Sequence, residues 1–406
     1  MGTLLCFVPL MLTSGSFLPD LTISILGILF IIITVKEKQW SYYRNNFFYF
    51  FIFFYLFFLL SSFLSNNLFH SLESSLFYFR FGIFALSIWF LLDHDKKLLK
   101  KFTMFFLFTF LIIIIDGYFQ FLFDHSIFGF QSYSVNRLTL MFNDKMILGG
   151  YLIRLLPLLF GLLIYTNLLT EKTFIPATML FILVFVLVVL SGERTALALL
   201  LLFGLMMMFL LSKFKFMRWS ILLFSLISII LIFSIYPKTI QRSIYDTMVQ
   251  LNVQDDFSNP NFFSITHEHL AITAINIFDK HKLIGSGPKQ FRVLCNDEKY
   301  KAGKYSCSTH PHNNYLQLAA ETGLLGILFL IIPLIFLMKK IIVHLFQKIR
   351  NKKIFFNDYE ICILICILMT LWPILPTQNF FNNWINIIYY LPIGFLLHSV
   401  NKKHKL

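Results

Sequence analysis

The sequence predicts an all-α, polytopic integral membrane protein with about 12 transmembrane helices and one long polar loop containing short helices. Hydrophobic residues make up 58% of the 406 and charged residues 13%, against roughly 25% charged in ordinary soluble chains. The 52 phenylalanines alone outnumber the 20 Asp and Glu. The 34 Lys and Arg outnumber those 20 acids to give a formal net charge of +14, yet the basic residues sit in connections between apolar runs rather than on one stripe. A lipid bilayer is therefore the expected partner, and nucleic acid is not.

A membrane span needs about 20 apolar residues, fewer where a helix is short or partly re-entrant. Twelve runs qualify: 3–18, 21–35, 46–64, 72–92, 102–123, 145–166, 173–191, 195–212, 218–236, 314–338, 357–375 and 384–399. The first two are short and their separation rests on Pro19 and Asp20, so eleven spans is an alternative reading. The N-terminus lacks both a basic region and a small-residue cleavage site, so the first span is expected to stay in place. Basic residues collect in alternate connections: Lys36, Lys38 and Arg44; Lys96, Lys97, Lys100 and Lys101; Lys172; Lys213, Lys215 and Arg218; the run from Lys339 to Lys353; and the tail with Lys402, Lys403 and Lys405. By the positive-inside rule these connections and both termini are cytoplasmic. Arg137, Lys145 and Arg194 are the exceptions on the other side. Residues 1–236 thus read as a membrane domain with spans 1–9, 237–313 as a long periplasmic loop, and 314–406 as spans 10–12.

The loop contains Asp255, Asp256, Asn259, Pro260, His267 and Glu268. From His267 to Leu283, Leu270, Ala274, Ile277 and Phe278 fall at helical spacing, which predicts an amphipathic helix lying against the membrane domain and ended by Gly285-Ser-Gly-Pro288. Cys295 and Cys307 share the loop and form a disulfide if it faces an oxidising compartment. Cys6, Cys362 and Cys366 lie in apolar runs as small hydrophobes. There is no HExxH, no CxxC, no phosphate-binding GxxxxGK[ST] loop and no solenoid-type repeat, so a metal-free mechanism without a cofactor is expected.

The strongest chemical signal is Thr309-His310-Pro311-His312-Asn313-Asn314-Tyr315, running into an apolar helix through Glu321, Gly323 and Gly326. Thr309 or Ser308 is the expected N-cap and Pro311 suits a first turn. A histidine there has its protonated form disfavoured by the helix N-terminus, stays neutral near pH 7 and can act as a general base. The competing reading makes His310 and His312 interfacial polar residues where a helix leaves the bilayer. Ser191-Gly192-Glu193-Arg194-Thr195-Ala196 forms a tight turn between two apolar helices; the Arg194 fork suits a diphosphate, or else Glu193 and Arg194 pair to close the turn. Arg80, Arg137 and Arg154 lie on the same side or within spans, and Arg80 and Arg154 alternatively snorkel or pair with Glu73 and Asp144. Lys289 and Arg292 bring further positive charge from the loop or form a solvated face.

These segments resemble the O-antigen ligase and O-antigen polymerase superfamily of bacterial envelope glycosyltransferases. The resemblance lies in His312-Asn313, nine residues, then Gly323-Leu-Leu-Gly326; in Ser191-Gly-Glu-Arg194-Thr-Ala; and in Arg137 through Phe142 to Gly149-Gly150-Tyr-Leu. Lys145 departs from the acidic residue that the family pattern leads one to expect. The resemblance implies transfer of a glycan from an undecaprenyl-diphosphate-linked donor to a glycolipid or glycan hydroxyl at the periplasmic face of the bacterial inner membrane. It implies His312 as the base, Arg194, Arg292 and Arg137 as donor diphosphate ligands, and His310, Asn313, Glu193, Gly323 and Gly326 in support. A ligase delivers the glycan to lipid A core and a polymerase to another lipid-linked unit; the clean His-Asn-x9-Gly-x-x-Gly spacing favours the ligase. A reading from another class is a transporter of the same lipid-linked glycan, against which stands the lack of paired, Gly- or Pro-broken helices in two matching halves. A structural scaffold, the third reading, leaves His312 and Arg194 idle.

Overall fold

The computed structural model describes residues 1–131, 137–143, 145–236, 241–252 and 263–404; Asp144, Asp255, Asp256, Asn259, Pro260 and Lys405 lie outside them. Helices dominate the described residues, which hold no strand beyond isolated bridges such as that between His125 and Gln131. The helices are α1 (Gly2–Met11), α2 (Phe17–Lys36), α3 (Asn46–Phe63), α4 (Leu68–Ser75), α5 (Phe79–His94), α6 (Leu98–Phe123), α7 (Leu148–Tyr165) and α8 (Phe174–Ser191). They continue as α9 (Arg194–Leu210), α10 (Lys215–Ile235), α11 (Asp246–Gln250), α12 (Ile265–Lys280), α13 (Phe291–Leu294), α14 (Asn314–Ile349), α15 (Asp358–Leu371) and α16 (Asn383–His404).

Every apolar run picked from the sequence contains a helix, but eight stretches of the described chain are long and apolar enough to cross a membrane, rather than twelve. Gly2–Ser14 and Arg194–Leu210 are apolar and shorter. The first break is made by Gly15, at φ 110°, and not by Pro19, which sits in the opening turn of α2 where its missing N–H costs nothing. The run 72–92 is divided into α4 and α5, and α14 continues eleven residues beyond its expected end at 338.

α7 is the central helix: all its residues from Leu148 to Leu163 are buried. It packs on α15, while α16 packs on α5, so the last two helices return into the middle of the first bundle. The outer helices expose large apolar side chains; Phe53, Phe63, Phe209 and Ile230 are each more than 60% exposed. Such faces suit lipid and would be costly in water. Arg80 pairs with Asp20 at 3.0 Å, and Glu73 pairs instead with Lys289 at 3.3 Å, so the pairing expected for Arg80 is corrected by a partner on α2.

α14 is interrupted inside its sequence. Gly323 has φ 68° and ψ −166°, which breaks the helical ladder, and the segment 282–287 supplies the missing partners. The Leu324 amide donates to the Lys282 carbonyl at 2.7 Å, while the Gly287 and Ser286 amides donate to the Glu321 and Ala320 carbonyls at 2.7 and 3.1 Å. Buried backbone groups released by a kink must find partners, and here this loop supplies several of them. The amphipathic helix α12 stops at Lys280, five residues before Gly285, so the glycines do not end it as expected; they let the loop reach α14. α12 buries Leu270, Thr273, Ala274 and Ile277 against α14, with Phe278 half-buried and Thr273 in the place expected for it.

Candidate functional site

α14 starts where Asn313 caps it. The Asn313 side-chain oxygen accepts from the Tyr315 and Leu316 amides at 2.9 and 3.1 Å, and its Nδ2 donates to the Pro373 carbonyl at 2.8 Å. Thr309 and Ser308 are therefore not the cap, and His310, Pro311 and His312 form the loop that leads in rather than the first turn. His312 adopts left-handed backbone, φ 55°, and its carbonyl accepts from the Thr377 amide at 2.7 Å. That contact and the Asn313 bond to Pro373 hold the histidine loop against the α15–α16 connection.

Three imidazoles gather there. The His310 and His312 rings lie 4.1 Å apart between centroids, and His267, from the first turn of α12, meets His312 edge-on at 5.5 Å. Burial lowers the pKa of His312, with the neighbouring His267 adding to it. Burial also lowers His267, helped by the charge of Arg194, and takes His310 down to about 3. The cluster is neutral near pH 7 because it is buried and crowded, not because it lies in a helical turn.

Arg194 is the first residue of α9 and reaches across to α11, donating to Thr247 Oγ1 at 2.7 Å and Gln250 Oε1 at 2.8 Å. It does not pair with Glu193. The Glu193 carboxylate turns to the start of α7, where Oε1 and Oε2 accept from the Gly149 and Gly150 amides at 2.7 and 3.0 Å. This is a negative group at a helix N-terminus, and it joins two of the segments marked in the sequence. Gly149 permits it: a Cβ there would come within 2.8 Å of Ala196 and 3.3 Å of Glu193. Burial raises the Glu193 pKa to about 7 against the lowering effect of the two amides and Arg154. Arg154 itself bonds back to the Gly150 carbonyl at 3.1 Å. Glu193→Ala is expected to cost about 1–3 kcal/mol by stranding two amides, and Glu193→Gln much less, because one acceptor survives; thermal unfolding in detergent measures both.

On the other flank, Arg292 lies close enough to His310 for its charge to lower that imidazole further. Arg292, His310, Thr309 and Lys145 line a cavity of about 860 Å³. Arg137 donates to the Met146 sulfur, and Met146 lines the same cavity. Cys295 and Cys307 are disulfide-bonded, with 4.9 Å between their Cα atoms, which ties α13, the helix carrying Arg292, to the strip just before the histidines. Gly323 and Gly326 stand away from the histidine cluster: Gly323 makes the break in α14, and Gly326 faces Thr322 and Phe57. Among the described residues no three His, Cys, Asp or Glu side chains are grouped to hold a metal ion.

Residues 179–331 match the family model described as O-antigen ligase. The match supports the O-antigen ligase and polymerase superfamily. The matched segment includes Glu193, Arg194, all three clustered histidines, Arg292 and the Gly323–Gly326 pair, and leaves out Arg137 and the Gly149–Gly150 start of α7. No curated protein matches the chain. Within this O-antigen ligase segment the sequence reading missed His267 as a site residue. Its signal was a titratable side chain at the start of an amphipathic helix, on the same face as Leu270 and Ala274, but only the folded loop brings it to His312.

Proposed function

We propose that this O-antigen ligase-type enzyme transfers a glycan from undecaprenyl diphosphate to a hydroxyl of lipid A core, without a metal, at the periplasmic face of the bacterial inner membrane. The observation that carries the reading is His312, neutral and half-buried, with Arg194 beyond His267 on one side and Arg292 beyond His310 on the other. His312 takes the proton from the acceptor hydroxyl as its oxygen attacks the anomeric carbon. The bond from that carbon to the diphosphate oxygen breaks, its electron pair leaves with undecaprenyl diphosphate, and Arg194 and Arg292 stabilise the charge that grows there. One direct displacement inverts the anomeric configuration. His310 and Asn313 support the base, and Arg137 acts through Met146 at the cavity wall.

The base works as the neutral imidazole. Because its pKa is lowered from the ordinary 6.5, the acid limb of kcat/KM is expected to have its midpoint below pH 6.5, with activity level from there through pH 7. A pH profile with a midpoint above 7 contradicts His312 as base.

The acceptor is tested by supplying the lipid-linked oligosaccharide with and without lipid A core. Loading of the core alone supports the ligase. Lengthened lipid-linked chains in the absence of core make the enzyme a polymerase of the same superfamily.

A further inference from the structure

The cavity beside His310 is built differently from the histidine cluster. Lys145 and Arg292 line it, and no Asp or Glu is among the described residues that do. Arg292 Nε is buried without a hydrogen-bond partner, an unspent donor on a cation. Phe128 and Phe130, 54% and 36% exposed, offer ring faces, and Gln378 and Asn382 add carboxamides. Two cations with no carboxylate among the described lining residues attract an anion, exposed aromatic rings accept the C–H face of a sugar ring, and carboxamides bond its hydroxyls. About 860 Å³ is within the range of pockets that enclose ligands well beyond a single phosphate.

We propose that this cavity is a saccharide subsite that selects a sugar unit carrying an anionic substituent, with Lys145 as the specificity-determining residue and Arg292 as its second cation. The inference rests on the transfer reading for the saccharide nature of the ligand; its charge preference comes from the cavity. Arg292 lies between the two places, so the diphosphate of the donor and the acidic sugar share one cation, and Lys145 distinguishes the sugar.

The test is equilibrium binding of a glucuronic-acid-containing oligosaccharide to the purified full-length protein in detergent, against the same oligosaccharide after reduction of its carboxyl groups. The acidic form is expected to bind about fivefold to tenfold more tightly, as for a partly desolvated ion pair, with the difference shrinking as salt rises. Lys145 is exposed, so Lys145→Glu is expected to keep the unfolding temperature and to lose or reverse the preference. Equal binding of the two forms, or a preference untouched by Lys145→Glu, overturns the proposal. Inorganic diphosphate is the third probe: if it binds in a Lys145-dependent way while the acidic oligosaccharide does not, the cavity is the seat of the donor diphosphate and the proposal fails. Binding is read without turnover. A protein that discriminates the two saccharides but transfers nothing keeps this inference and loses the transfer reading, and an active enzyme without discrimination does the reverse.

Discussion

Replacing His312 by Asn is expected to lower glycan transfer by about 10²–10⁴-fold, the usual contribution of a positioned general base. Asn is the substitution of choice because position 312 is left-handed, φ 55°, and Asn tolerates that backbone better than Ala. The Thr377 amide bonds the backbone carbonyl of 312 and not its side chain, so the tie to the α15–α16 connection survives. The loss should therefore appear in kcat with donor binding retained. His310→Asn is the informative neighbour: its Nε2 lies 3.3 Å from the Thr377 carbonyl and the side chain is buried, so its removal is expected to loosen the loop and lower both unfolding temperature and activity. Equal kinetic losses in the two variants, with equal stability, would move the base away from His312.

Gly323→Ala is expected to destabilise the protein by about 3 kcal/mol or more and to abolish activity, combining backbone strain of about 1–3 kcal/mol with overpacking of similar size. With φ 68° and ψ −166° the residue lies where only glycine is comfortable, and an added Cβ would meet the Leu283 carbonyl group at 2.5 Å and the Gly285 nitrogen at 2.6 Å. Those atoms are backbone on the loop that repairs the broken ladder, so they cannot swing aside. The loop between them and α13 also leads to Arg292. Gly326→Ala, in the same motif, is the comparison without backbone strain: its new Cβ overpacks against the Thr322 Cβ and Oγ1 and lies 3.5 Å from Phe57, but the backbone at 326 is not left-handed. Thermal unfolding in detergent should leave Gly323→Ala the less stable of the two by roughly the backbone strain, about 1–3 kcal/mol, and similar midpoints would show that the loop does not depend on the break.

The apolar runs were legible because hydropathy over about 20 residues survives any packing arrangement, and each contains a helix. Capping was harder. Thr309, Ser308 and Asn313 are all good caps by type, and Pro311 pointed to an early start; the choice of Asn313 depends on the Pro373 carbonyl, sixty residues away in sequence. The charge partners were misread for the same reason. Asp20 reaches Arg80 only because α2 packs on α5, and Glu193 prefers the Gly149 and Gly150 amides to its neighbour Arg194 because α7 begins beside the turn. Arg194, Arg292, His310 and His312 were each visible as chemistry-bearing residues, while His267 was not, since its role arises from the docking of α12. Gly323 was visible as a motif position, but its function as a helix break bridged by a distant loop requires the fold.

The most direct measurement uses the purified wild-type enzyme in EDTA with undecaprenyl-diphosphate oligosaccharide and lipid A core, reading released undecaprenyl diphosphate and the anomeric configuration of the new linkage. Release matched one for one by core-linked glycan of inverted configuration, lost in His312→Asn, is the predicted result. No transfer in EDTA, a retained configuration, or undiminished transfer by His312→Asn would contradict a metal-free, single displacement driven by this histidine.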